Sequence, residues 1–296
     1  LFQASDQCMA CHNGLVDQTG EDISIGTDWR PTMMANSARD PYWQAGVRRE
    51  IMDHPGAREA IEGECSICHM PMARFTAVAG GAEGEVFAHL PAGQGQGAMD
   101  RLAADGVSCT VCHQILPDNL GEPESLVGGF LVDSKTAWGS RAVFGPYDVD
   151  DGRARIMSSA ALFKPRKADH LRESAMCGTC HTLYTSALGP GGKVVGRLPE
   201  QMPFLEWKHG GYAGTDSCQD CHMPAVVGEA PIASVWGKLR AGFVQHVFKG
   251  GNFFIPRILN GRRKALGTAA LPQELAAASQ LAVDHLKGSA ARLLIV

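Results

Sequence analysis

Two cysteines separated by two residues and followed at once by a histidine occur five times in the chain. The copies are CMACH (Cys8–His12), CSICH (Cys65–His69), CTVCH (Cys109–His113), CGTCH (Cys177–His181) and CQDCH (Cys218–His222). They use all ten cysteines, so no thiol is left over for any other role. Whatever the chain folds into must bring five such triads to positions where they are useful.

Three chemistries use Cys-x-x-Cys: a redox disulfide, half of a zinc site, or covalent attachment of haem. A disulfide motif explains neither the histidine nor the five copies. Zinc ribbons combine two pairs into four thiolates per metal, and five pairs do not divide that way. Haem accounts for every letter. Two thiols one turn apart add to the two vinyl groups of one porphyrin, and the next residue presents its imidazole to the iron. The expected cofactors are five covalently bound haem c groups. Their attachment residues are Cys8 and Cys11, Cys65 and Cys68, Cys109 and Cys112, Cys177 and Cys180, and Cys218 and Cys221, with His12, His69, His113, His181 and His222 as proximal iron ligands.

Composition fits that reading. The chain has 296 residues, 45% hydrophobic but only 7% aromatic, and porphyrins would supply the missing flat apolar material. Its 35 glycines and 16 prolines predict many turns and short elements. The formal charge of −4 and the lack of a long basic run argue against nucleic acid as a partner. Five ferric haems with ionised propionates take the charge to about −9. The expected partners are therefore redox proteins with a basic docking patch. No run of about 18 apolar residues predicts a membrane span. The opening Leu1-Phe2-Gln3-Ala4 carries no secretory leader, so the chain reads as a mature or trimmed product. The apolar ending ARLLIV predicts that the parent chain continues beyond residue 296.

The motifs start at residues 8, 65, 109, 177 and 218, a spacing too uneven for a solenoid. A single domain over residues 1–296 would have a radius of gyration of roughly 19 Å, so five porphyrins inside it must be close neighbours. The fold class expected is mainly α with extensive loops, compact, and built around a packed chain of five covalent haems. Asp40-Pro41 predicts a capped helix over PYWQAGVRREIMD, broken at Pro55, with a second short helix running towards Cys65. Residues 106–113, 174–181 and 217–222 predict short motif-bearing turns. Residues 128–149 predict a loop containing a hairpin, and residues 271–294 a C-terminal helix opened by Pro272.

An iron that only carries electrons needs a sixth ligand. Six histidines lie outside the motifs. His170 and His209 each precede a motif by less than ten residues. His246 sits in QHVFKGGNFF, where glycines admit a bulky group near the backbone. His89 lies between the second and third motifs, and His54 ends a helix before Pro55. These five are candidate distal ligands. His285, flanked by Asp284, Leu286 and Lys287, reads as solvent-exposed.

The segments GVSCTVCH, CSICHMP, CQDCHMP, EWKHGGY and HVFKGGN resemble the multihaem cytochrome c superfamily. That group includes the tetrahaem cytochrome of ammonia oxidisers, hydroxylamine oxidoreductase, pentahaem nitrite reductase and some extracellular nanowire cytochromes. The likeness runs from about residue 8 to 255 and leaves the C-terminal helix outside. Such proteins often take a distal histidine from Trp-x-x-Ser-x-His-Ala. Here WRPTMMA places Met34 at that position, which implies a methionine ligand or none. Nitrite reduction in the pentahaem group uses a CxxCK motif, and all five motifs here end in histidine. The resemblance also implies maturation outside the cytoplasm, hence a periplasmic or extracellular location at the cell surface. Residues and resemblance together predict an electron carrier with mostly six-coordinate haems, as part of a complex or an extracellular wire, with identical subunits in a filament as one arrangement. The alternatives are a reductase of a small nitrogen or sulfur oxyanion at one five-coordinate haem, and a structural subunit docking a catalytic partner.

Overall fold

The computed structural model describes residues 1–291. It is mainly helical with long irregular connections and three two-stranded sheets. The Asp40 carboxylate accepts from the Tyr42 and Trp43 N–H groups and starts the Pro41–Asp53 helix, with Pro41 at its first position. After a 3₁₀ turn at Pro55–Ala57, a helix over Arg58–His69 runs through the whole second motif. Pro71–Ala79 and Ala98–Ala104 pack beside it. Their shared core contains Val47, Met70, Ala73, Val86 and Ala103.

The other motifs begin on single helical turns. They lie at Asp6–Met9, Cys109–Cys112, Ser174–Gly178 and Cys218–His222. Gly106 sets the entry to the third. It has φ +62°, and a Cβ there would stand 2.5 Å from the Met34 carbonyl oxygen. Only glycine lets residues 106–109 pass this close to the Met34 backbone.

The sheets depart from expectation. Residues 128–149 form no hairpin. The strand within them, β1 (Ala142–Gly145), pairs in parallel with β2 (Lys164–Lys167) through the crossover helix Asp151–Ala161. A parallel partner needs such a crossover, which a local reading of the loop cannot anticipate. The long hairpin lies instead in β3 (Leu183–Leu188) and β4 (Val194–Gln201), closed through Gly189–Lys193. A smaller antiparallel pair joins β5 (Glu229–Pro231) to β6 (Leu239–Ala241).

The C-terminal helix begins at Pro272 and stays α-helical to His285. A π turn follows over Leu286–Ala290, and residues 292–294 of the expected span lie outside the described residues. Leu275 packs on Ile255 and Leu259 of the Phe254–Gly261 helix. Burying each such side chain stabilises by about 1.5–3 kcal/mol. Glu274 clamps the helix start to the body: it accepts from the Leu271 N–H at 2.8 Å and pairs with Arg30.

Small domains commonly have one contiguous core with satellites. Here the buried apolar residues fall into five separate clusters. The space between them is a cavity.

Candidate functional site

That cavity measures about 2760 Å³. A pocket for one small ligand is about 300–1,000 Å³, so this one has room for several large groups. Residues of all five motifs line it, including His12, His69, His113, His181 and His222. Hairpin residues Leu183, Val194 and Leu198 form part of its wall, which explains why a strand as exposed as β4 carries Val194 and Leu198.

Local geometry gives each triad the same form. The His12 N–H donates to the Cys8 carbonyl at 3.0 Å, His113 to Cys109 at 3.0 Å and His181 to Cys177 at 2.9 Å. Each histidine therefore stands one helical turn beyond its first cysteine. The second and fifth triads lie inside helices, with the same consequence.

The imidazoles are oriented by carbonyl oxygens. Nδ1 of His12 meets the Ile232 carbonyl at 2.5 Å, His69 that of Ser37 at 2.9 Å, His113 that of Phe144 at 2.6 Å and His222 that of Lys249 at 2.6 Å. A carbonyl only accepts, so Nδ1 carries the proton and Nε2 keeps its lone pair. This is the arrangement in which metal-binding histidines are held, the second nitrogen fixing ring orientation. Trp43 further pins His69, stacked at 4.1 Å with planes 2° apart. Burial pushes the pKa of His12, His69 and His113 down and keeps their rings neutral. His181 is lowered by burial and by nearby His222.

Thiols of different triads lie close together in pairs: Cys8 beside Cys109, Cys68 beside Cys180, and Cys177 beside Cys218. Cys112 lies close enough to Cys177 and Cys180 to perturb both electrostatically. Triad one therefore adjoins three, three adjoins four, and four adjoins both two and five. Among the described residues no three His, Cys, Asp or Glu side chains converge on a point, as a zinc centre requires.

Of the other histidines, His246 is the one most firmly placed. It lines the cavity, with its ring centroid 6.4 Å from that of His113 and the planes 20° apart. Its Nδ1 donates to the Val244 carbonyl at 3.2 Å, leaving Nε2 free. Burial first, and His113 second, push its pKa down to about 3. His54 and Met34 also line the cavity. His89 points its Nδ1 at Asp100 Oδ1, 2.8 Å away. His170 is buried with Nε2 on the Ile115 carbonyl at 2.9 Å, which leaves Nδ1 as its free nitrogen. His209 is exposed at the end of the Pro203–His209 helix, whose Trp207 and Lys208 face the cavity. His285, read as solvent-exposed from its neighbours, is half-buried, and its ring stands 6.0 Å from that of His222.

No protein-family model matches the chain, and no curated protein matches it. The crystal structure of a penta-heme cytochrome c552 from Thermochromatium tepidum does, with TM-score 0.50 and 20% identity over 87% of this chain. The chain shares the fold of that penta-heme cytochrome. This chain spans 59% of that protein's length.

The residues of the chain suit the haem groups that this shared fold implies. Each triad supplies two thiols and an imidazole on one turn, four of the five imidazoles are held with Nε2 free, and the cavity between the clusters is large and shared. Each paired cysteine would hold a porphyrin edge, and each motif histidine would hold its iron.

Proposed function

We propose that the chain is an electron-carrying c-type cytochrome holding five covalent haems in one continuous array. One observation carries this reading: all five CxxCH triads open onto a single cavity. Bound there, haem supplies an iron that accepts and releases one electron.

The protein's own residues do the rest. The carbonyls of Ile232, Ser37, Phe144 and Lys249 fix the motif imidazoles and make them stronger donors. His113 and His246, whose ring centroids lie 6.4 Å apart with Nε2 of His246 free, would together hold the iron of the third site. The thiol contacts support an order one–three–four, with two and five both branching from four. The fourth site is then the junction of the array. The fifth, whose Cys221 and His222 are exposed, is its most accessible end. Met34 and His54, on the cavity wall, are the side chains available to sites without a histidine pair.

The formal charge of −4 becomes more negative on loading, which favours a redox partner with a basic face. Covalent haem attachment also implies a site outside the cytoplasm. Among the described residues, no helix is long and apolar enough to cross a membrane.

Ferric absorption and electron paramagnetic resonance of the loaded protein test this reading. Predominantly low-spin irons, reducible in full and unmoved by nitrite or sulfite, are expected. A high-spin iron whose spectrum shifts with either anion and which turns it over would support an oxyanion reductase instead.

A further inference from the structure

The C-terminal helix carries a residue that its sequence neighbourhood disguises. Residues Leu275, Ser279 and Ala282 mark its buried stripe, at spacings of four and three. His285 continues the stripe by three more residues and turns the same way, whereas Asp284 between them is exposed. Its ring centroid lies 6.0 Å from that of His222, the motif histidine of the fifth triad. The His113–His246 pair shows nearly the same spacing at 6.4 Å. The two pairs differ in the angle between planes, 58° against 20°. Rotation about a metal–nitrogen bond changes that angle and leaves the spacing alone.

His222 is held firmly on one side. Its Nδ1 donates to the Lys249 carbonyl at 2.6 Å, and the Lys249 N–H donates back to the His222 carbonyl at 3.0 Å. The same segment supports the other ring: a Cβ on Gly251 would touch the Leu286 side chain at 3.3 Å, so the helix end packs directly on this loop. His285 Nδ1 is shielded from solvent and has no hydrogen-bond partner among the described residues. A shielded ring nitrogen without a partner is costly unless that nitrogen itself binds something.

We infer that His285 is the distal iron ligand of the fifth haem site, opposite His222, and that the Pro272–His285 helix is the element delivering it. The inference rests on the haem-carrying reading above. It makes the exposed end of the array a six-coordinate site that passes electrons and offers no open position to a small molecule. It also gives the Arg30–Glu274 clamp a purpose, since that clamp fixes the other end of the ligand-bearing helix.

The test uses loaded protein carrying His285→Leu, with attached haem counted first by intact mass. The expected result is a full haem complement and a new high-spin ferric signal equal to one haem in five, abolished by added imidazole. His285→Met restores a low-spin iron at a higher potential than the parent site. General misfolding would neither confine the change to one haem nor respond to imidazole. Five attached haems with an unchanged spin state in His285→Leu overturn the inference alone. A parent chain without attached haem overturns the electron-carrier reading and this inference with it.

Discussion

Glu62 offers a direct check on how the second triad is held in place. It lies on the Arg58–His69 helix and is almost completely buried. Its Oε2 accepts from the Val86 N–H at 2.8 Å and the Phe87 N–H at 3.1 Å, and its Oε1 accepts from Arg58 Nε at 2.7 Å. It thus ties the motif-bearing helix to the turn that begins at Val86. Glu62→Ala leaves two shielded N–H groups without acceptors, at about 1–3 kcal/mol each, for a loss of about 4 kcal/mol. Glu62→Gln keeps one oxygen for both N–H groups but removes the charge. Bonds to charged groups exceed neutral ones by about 1 kcal/mol, giving a loss of about 2 kcal/mol. The pH dependence supplies a second arm. Burial raises the Glu62 pKa, but the Val86 and Phe87 N–H groups and Arg58 outweigh it, and the net shift is downward. A carboxylate with a depressed folded pKa stabilises above its unfolded pKa of about 4.3, and that contribution is lost as pH falls through the folded value. Urea midpoints followed by far-ultraviolet circular dichroism from pH 7 to pH 3 should therefore show a shallower acid decline in Glu62→Gln than in the parent. An Ala variant within about 0.5 kcal/mol of the parent, or a Gln variant with the parent's acid slope, would refute this account of the helix.

Other consequences are equally specific. His246→Ala should retain five attached haems by mass and convert one ferric iron to high spin, as read by electron paramagnetic resonance. Gly106→Ala should destabilise by about 1–3 kcal/mol through its left-handed backbone alone. The added clash with the Met34 carbonyl should lower haem occupancy at the third triad, measurable by peptide mass mapping around Cys109. Glu274→Gln should cost about 1–2 kcal/mol in thermal unfolding, since it weakens both a helix cap and an ion pair. Electron transfer to a basic redox partner should slow as ionic strength rises from 0.05 to about 0.5 M, because screening shortens the reach of the acidic surface.

The geometry of each triad was legible in sequence because it is local. Two thiols and an imidazole on one helical turn need nothing beyond five consecutive residues. The capped helix at Pro41 was equally local, since Asp40 and Pro41 act within a single turn. What the sequence hid depends on distant partners. The strand at Ala142 finds its mate only after a crossover helix, whereas the segment that does fold back carries its own turn in Gly189-Pro190-Gly191-Gly192. Contacts between histidine rings are harder still. His246 reaches His113 and His285 reaches His222 across long stretches of chain, and adjacent charges make His285 look solvated. Helical periodicity was the better guide there, because Leu275, Ser279 and Ala282 already mark the inward face. His209, close before Cys218 in sequence, lies exposed at the end of the Pro203–His209 helix.

Intact-mass measurement of the protein from a host able to mature c-type cytochromes tests the central claim most directly. The account predicts a mass above that of the polypeptide by five haem groups, with all ten cysteines blocked to alkylation. A bare polypeptide mass, with its cysteines free or joined in disulfides, would contradict it.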